Sequence, residues 1–230
     1  MKHRSTEIHT IARIESDFSD KFGIPRQSGL VEELEARIIF EKKYRNPDAV
    51  RGLEGFDYIW LLWEFSECVM EEWSPMVNPP RMGKNQRMGV FATRSPYRPN
   101  PIGLSSVKLE RIEYSEKEGP VLVVRGADLL SGTPIFDIKP YLPYADSHPQ
   151  ARGGFATEYV GNKLKVEIKE SLLQMIPEGK RAALIGILEQ DPRPAYTQFA
   201  DRVFGLEFAG YNVRFCVSQQ CVKVIEINAI

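Results

Sequence analysis

From residue 8 to residue 141 the chain repeats one pattern, in which short runs rich in β-branched and aromatic residues are each closed by a Gly- or Pro-containing stretch. Parallel strands need a crossover of a dozen or more residues, usually a helix, and no such helical run interrupts the series. Strands are expected at Ile8–Ile14, Glu35–Phe40, Phe56–Phe65, Arg87–Thr93, Leu104–Tyr114, Val121–Ala127 and Pro134–Tyr141. Phe56–Phe65 is apolar on both faces and reads as a buried central strand. Glu116–Gly119 makes a hairpin turn between two of the others. Repeated short strands of this kind favour an antiparallel β-barrel over a doubly wound sheet.

Near residue 146 the pattern changes. The stretch Asp146–Asn162 has little periodicity and reads as a linker or an excursion. Beyond it lie a strand at Lys163–Ile168 and helical patterning over Lys169–Gln190, interrupted around Pro177 and Gly179. Strands follow at Arg202–Phe208, Tyr211–Ser218 and Cys221–Asn228. The expected fold is therefore mainly β: a barrel domain over 1–147, a linker over 148–162 and a small α+β domain over 163–230.

Several functional classes are excluded at this level. The N-terminus has no apolar run of signal-peptide length, and the longest apolar stretch, Tyr58–Trp63, is far below the roughly 18 residues of a membrane span. Three cysteines (Cys68, Cys216 and Cys221), an odd number without a secretory signal, point to free thiols in the reducing cytoplasm. His3, His9 and His148 are scattered without zinc-ligand spacing, so no metal is expected. Glycine-rich dinucleotide, phosphate-loop and nucleophile-elbow motifs are also missing.

A net charge of −1 gives no whole-molecule attraction to a polyanion, so any such site is a local patch. One window qualifies. Trp73–Leu109 contains no acidic residue, although 31 of 230 positions are acidic and about five would fall there by scatter. The same window carries Arg81, Lys84, Arg87, Arg94, Arg98 and Lys108. Within it, Arg94-Ser-Pro-Tyr-Arg-Pro-Asn-Pro-Ile-Gly103 is stiffened by Pro96, Pro99 and Pro101, which fix φ and forbid a helix. The loop reads either as a rigid platform for a planar or anionic ligand, with Tyr97 available for stacking, or as a solvated turn. Asp137 and Lys139 share a strand face, two apart, and read first as a surface ion pair.

Five segments in order, PRQSGL (Pro25–Leu30), AVRGLEGF (Ala49–Phe56), NPPRMGKNQRMGVFATRSPYRPNPIGLS (Asn78–Ser105), DLLSGTPIFDIKPYLPYADS (Asp128–Ser147) and DPRPAY (Asp191–Tyr196), resemble the TsaA-like family, which includes the TrmO-type tRNA methyltransferases. The resemblance implies a barrel that binds S-adenosylmethionine, works as a homodimer with the cofactor near the subunit interface, and methylates N6 of N6-threonylcarbamoyladenosine beside the anticodon of tRNA. It implies cofactor contacts from Pro25, Arg26, Gln27, Arg94 and Leu104, and from Asp128, Leu129, Leu130 and Ser131 of the DLLSGTP turn. Ser66 and Glu67 fall where the family also approaches the cofactor. The C-terminal domain is implied to contact tRNA. An exocyclic purine amine is a poor nucleophile that needs positioning and a hydrogen-bond acceptor, for which Asn100, the carbonyls around Pro99 and Pro101, Asp137 and Asp191 are the candidates. Tyr196 could stack on a splayed base.

Overall fold

The computed structural model describes residues 6–68, 73–79, 86–159, 161–193 and 202–230. Six strands close the barrel: β1 (Ala12–Glu15), β2 (Glu35–Phe40), β3 (Tyr58–Glu64), β6 (Ile102–Ser115), β7 (Gly119–Arg125) and β8 (Pro134–Pro140), in the order β1-β2-β7-β6-β3-β8. Every pairing is antiparallel, and β8 returns to β1 to remove the free edges. Alternation does the sorting. Ile14, Ile38, Ile59, Leu61, Val107, Leu122, Val124 and Ile135 point inward and are almost wholly buried.

A minor two-stranded ribbon, β4 (Met76–Val77) and β5 (Met88–Gly89), falls between β3 and β6 in the chain and forms a sheet of its own. The strand expected over Arg87–Thr93 is thus reduced to two residues. Val90–Ala92 coils into a 3-10 turn, held by Val90 N–H to the Pro75 carbonyl and by Thr93 capping the Val90 carbonyl. The first strand starts at Ala12 rather than Ile8.

The C-terminal sheet runs β10-β11-β12-β9, from β9 (Lys165–Glu167), β10 (Phe204–Phe208), β11 (Tyr211–Ser218) and β12 (Cys221–Ala229), with β9 parallel to β12. Two helices, α2 (Glu170–Leu173) and α3 (Glu178–Glu189), accompany it, after a single-turn helix α1 (Pro143–Asp146) that follows the barrel. Its core recruits the chain between β1 and β2. Phe18, Val31 and Leu34 pack with Ile176, Leu184, Ile187 and Leu206, all buried. Burying such a side chain contributes about 1.5–3 kcal/mol, so this excursion joins the two units firmly. Asp17 adds a half-buried ion pair with Lys180 at 2.5 Å. Gly23 fits here because its φ is +93° and a Cβ would lie 2.1 Å from Leu206 Cδ1. The excursion thus has one face in the C-terminal core, which Ile24 also touches, while Ile24 to Gln27 wall a cavity.

Candidate functional site

At one end of the barrel the 21–27 segment, the residues after β3, the Arg/Pro loop and the turn after β7 converge on a cavity of about 610 Å³. Its apolar lining includes Ile24, Trp63, Phe65, Leu104 and Leu130. Trp63 lies edge-on to Phe65, ring centroids 4.3 Å apart, and directly over Gly103, its partner in the β3–β6 ladder. The indole Nε1 donates to Ser105 Oγ at 3.0 Å, and Ser105 Oγ donates to Asp128 Oδ1 at 2.6 Å. Burial pushes the Asp128 carboxyl up. The Ser105 hydroxyl, backbone N–H groups and the nearby Arg94 charge draw it back in part.

The rim is polar. Arg94 Nη1 donates to Gln27 Oε1, and Gln27 Nε2 donates to the Arg26 carbonyl, which ties the Arg/Pro loop to the PRQ loop. Arg98 Nη1 donates to the Thr93 carbonyl at 3.3 Å, which braces the loop on itself. Opposite, Lys21 Nζ donates to the Glu67 carbonyl at 2.8 Å and lies 3.2 Å from its Oε2. Desolvation is the largest single influence and works against the Lys21 charge, but the Glu67 hydrogen bond, Cys68 and the Glu67 charge together outweigh it, and the pKa is raised.

Of the residues singled out from sequence, Pro25, Arg26, Gln27 and Arg94 line the cavity, as do Ser66, Glu67, Asn100, Leu104, Asp128 and Leu130. Leu129 does not: it is 1% exposed and belongs to the barrel core, since neighbours on an extended segment face opposite ways. Ser131 also points elsewhere, its Oγ accepting from Ser16 N–H at 3.3 Å and its N–H reaching the Phe18 carbonyl at 3.0 Å. Asp137 sits outside the lining. The β3–β8 register shifts between Leu62 and Trp63, so Asp137 pairs with Leu62 on the barrel exterior and bonds Lys139 at 2.8 Å. Asp191 is held by Arg193 through two contacts, Nε–Oδ1 at 2.8 Å and Nη2–Oδ2 at 2.9 Å. Tyr196, like Arg81 and Lys84, lies outside the described residues.

Sequence reasoning missed Lys21, Trp63 and Ser105 as site residues. Lys21 carries no local signal. Trp63 and Ser105 are legible only as the inward members of two strands whose register is known. Among the described residues there is no group of metal-ligating side chains, and no helix is long and apolar enough to cross a membrane. All three cysteines are free and partly buried.

The family model for the tRNA-methyltransferase O N-terminal domain matches residues 13–147, and that for the TrmO C-terminal domain matches residues 162–230. The chain belongs to the tRNA-methyltransferase O family. It is 38% identical to the tRNA (adenine(37)-N6)-methyltransferase of Escherichia coli K12, over 97% of this chain and 98% of that one. An Eikenella corrodens protein of the same name is 42% identical, over 76% of this chain and 98% of that one. The crystal structure of TrmO from Pseudomonas aeruginosa superimposes with a TM-score of 0.77 at 30% identity, covering 98% of this chain and all of that one. Membership in this methyltransferase family rests on both units of the chain.

Proposed function

We propose that this tRNA-methyltransferase O family member transfers a methyl group from S-adenosylmethionine to N6 of N6-threonylcarbamoyladenosine next to the anticodon of tRNA, working in the cytoplasm as a homodimer. The observation that carries the proposal is the convergence of three of the five family-like segments, together with the residues after β3, on one cavity whose lining holds a largely shielded carboxylate. The cavity volume lies within the roughly 300–1,000 Å³ of small-ligand sites. The lining suits this ligand: apolar and aromatic walls for a purine, Asp128 and Glu67 for its cationic groups, and Arg26 and Arg94 for its carboxylate.

When bound, S-adenosylmethionine supplies an electrophilic methyl group on its sulfonium. The chain's own residues hold and orient. Ser105 and Trp63 fix the Asp128 carboxylate, while Gln27 fixes Arg94 without cancelling its charge. Asn100, in the same lining, offers a side-chain oxygen that accepts a hydrogen bond from the target amine and holds it in line. Asp191 and Asp137 are engaged by Arg193 and Lys139 respectively, and the Asn100 and Pro101 carbonyls accept from the Ile102 and Phe65 N–H groups, which favours the Asn100 side chain as the amine acceptor of this reading.

The test is mass spectrometry of nucleosides from tRNA incubated with the protein and methyl-labelled S-adenosylmethionine. Label is expected in N6-threonylcarbamoyladenosine. Label in unmodified adenosine would overturn the substrate. No label, with calorimetric binding of S-adenosylmethionine intact, would leave a nucleotide-binding barrel without transferase activity.

A further inference from the structure

Helix α3 ends at Glu189, and two residues later Asp191 takes φ +53°, the left-handed region that non-glycine residues rarely adopt. Its N–H bonds the Leu188 carbonyl at 3.2 Å. Its carboxylate meets the Arg193 guanidinium through both oxygens, and Oδ1 also accepts the Arg193 N–H at 3.3 Å. The pair is mostly shielded, with side chains 20% and 31% exposed. A two-point fork of this kind fixes direction as well as distance. Strain held at one residue by a local clamp marks a place where geometry is controlled.

The clamp controls a carbonyl. With the turn closed, the Arg193 carbonyl accepts from Arg26 Nη2 at 3.3 Å. The Arg26 carbonyl accepts from Gln27, and Gln27 accepts from Arg94. A continuous hydrogen-bonded series therefore runs from the end of α3 to the Arg/Pro loop on the cavity rim. We infer that Asp191 is a positioning residue: by closing the Asp191–Arg193 turn it makes the C-terminal unit set where Arg26, and through it Gln27 and Arg94, stand at the cavity. Its carboxylate is spent on Arg193. The inference rests on the reading that this cavity receives S-adenosylmethionine, and it gives the C-terminal unit a part in building that site.

Two readouts test it. In the ligand-free protein, the arginine Nε–H resonances of Arg26 and Arg94 are followed in wild type, Asp191→Asn and Arg193→Lys; the last keeps the charge but loses the fork. Both variants are expected to shift or broaden both resonances. In parallel, S-adenosylmethionine affinity is measured by calorimetry for Asp191→Asn, Arg26→Gln and the double variant. Each single change is expected to weaken binding by about tenfold, and the double variant to be no weaker than Arg26→Gln alone. Unmoved resonances overturn the coupling, and so does a double variant that is weaker by about 100-fold, since independent effects multiply. A wild-type protein that gives no heat while the resonances move keeps the coupling and removes the ligand.

Discussion

Replacing Gly103 with alanine separates packing at the cavity floor from backbone effects. A Cβ at Gly103 would stand 2.3 Å from Trp63 Cε2, 2.5 Å from Cζ2 and 2.6 Å from Cδ2. These are ring atoms of an indole that is 8% exposed and backed by Phe65, so no flexible end can swing aside. The ring must tilt. Overpacking of this kind costs about 1–3 kcal/mol. Tilting also breaks the Nε1–Ser105 hydrogen bond, about 1 kcal/mol more. The sum is about 2–4 kcal/mol, and at about 3 °C per kcal/mol for a chain of this size the melting midpoint falls by about 6–12 °C. Because Gly103 also lines the cavity, S-adenosylmethionine affinity should fall with it. Thermal unfolding followed by circular dichroism and tryptophan fluorescence measures the first effect, and calorimetry the second. Gly55→Ala is the control: nothing lies within 4 Å of the added carbon, and stability should stay within about 0.5 kcal/mol of wild type. A Gly103→Ala protein that melts with the wild type and keeps its fluorescence would refute the reasoning.

Asp128→Asn should weaken S-adenosylmethionine binding without lowering the melting midpoint at pH 7, because the amide oxygen still accepts from Ser105. The sign follows from the raised carboxyl: the folded protein keeps that proton to higher pH than the unfolded chain, so the ionisation penalty is absent in acid and complete above the folded pKa. A fall in melting midpoint at pH 7 contradicts it. Asp146 behaves oppositely, held low by the Leu142 N–H and the Trp60 indole, so its stabilisation is present at neutral pH and lost as pH falls through its depressed value. An acid titration of tryptophan fluorescence should show this step in wild type and lack it in Asp146→Ala. Phe18→Ala should cost about 3–5 kcal/mol and keep a single unfolding transition, since the ring sits in the C-terminal core although it belongs to the β1–β2 excursion. Two separated transitions in calorimetry would show that the units unfold independently.

Strands whose two faces differ were legible nearly to the residue. Glu35–Phe40 and Tyr211–Ser218 place an apolar residue at every second position, and the buried residues fall at those positions. Arg87–Thr93 was not, because Met88, Val90 and Phe91 have strand-like side chains while a contact with the Pro75 carbonyl coils the backbone. Barrel closure through β1 and β8 depends on residues more than a hundred apart, and no local pattern encodes it. The same holds for Phe18, Val31 and Leu34, whose partners arrive late in the chain. At the site, the motif loops were legible as loops, but orientation within them was not. Leu129 and Leu130 are equivalent as sequence, and only the backbone sends one to the core and the other to the cavity. The shared face of Asp137 and Lys139 followed from spacing; that the face is the barrel exterior depends on the register shift beside Leu62.

How a chain of net charge −1 can present a cationic mouth follows from where its carboxylates are spent. On the outer barrel and the C-terminal sheet, Arg13, Arg37, Arg111 and Arg214 lie 3.5 Å or less from glutamates. At the rim, Arg94 and Arg98 are held by an amide oxygen and a backbone carbonyl, and among the described residues neither has a carboxylate within ion-pair distance. Neutral acceptors fix a guanidinium in place without cancelling its field, so the ordering cost is met before a ligand arrives. With salt screening beyond about 8–10 Å, an anion at the mouth responds to these arginines and hardly at all to the paired charges on the far side. The absence of acids from Trp73 to Leu109 keeps carboxylates out of the segment that carries Arg94 and Arg98. A carboxylate there would have taken the arginines as partners and left nothing for a phosphate or a ligand carboxylate to displace but an ion pair.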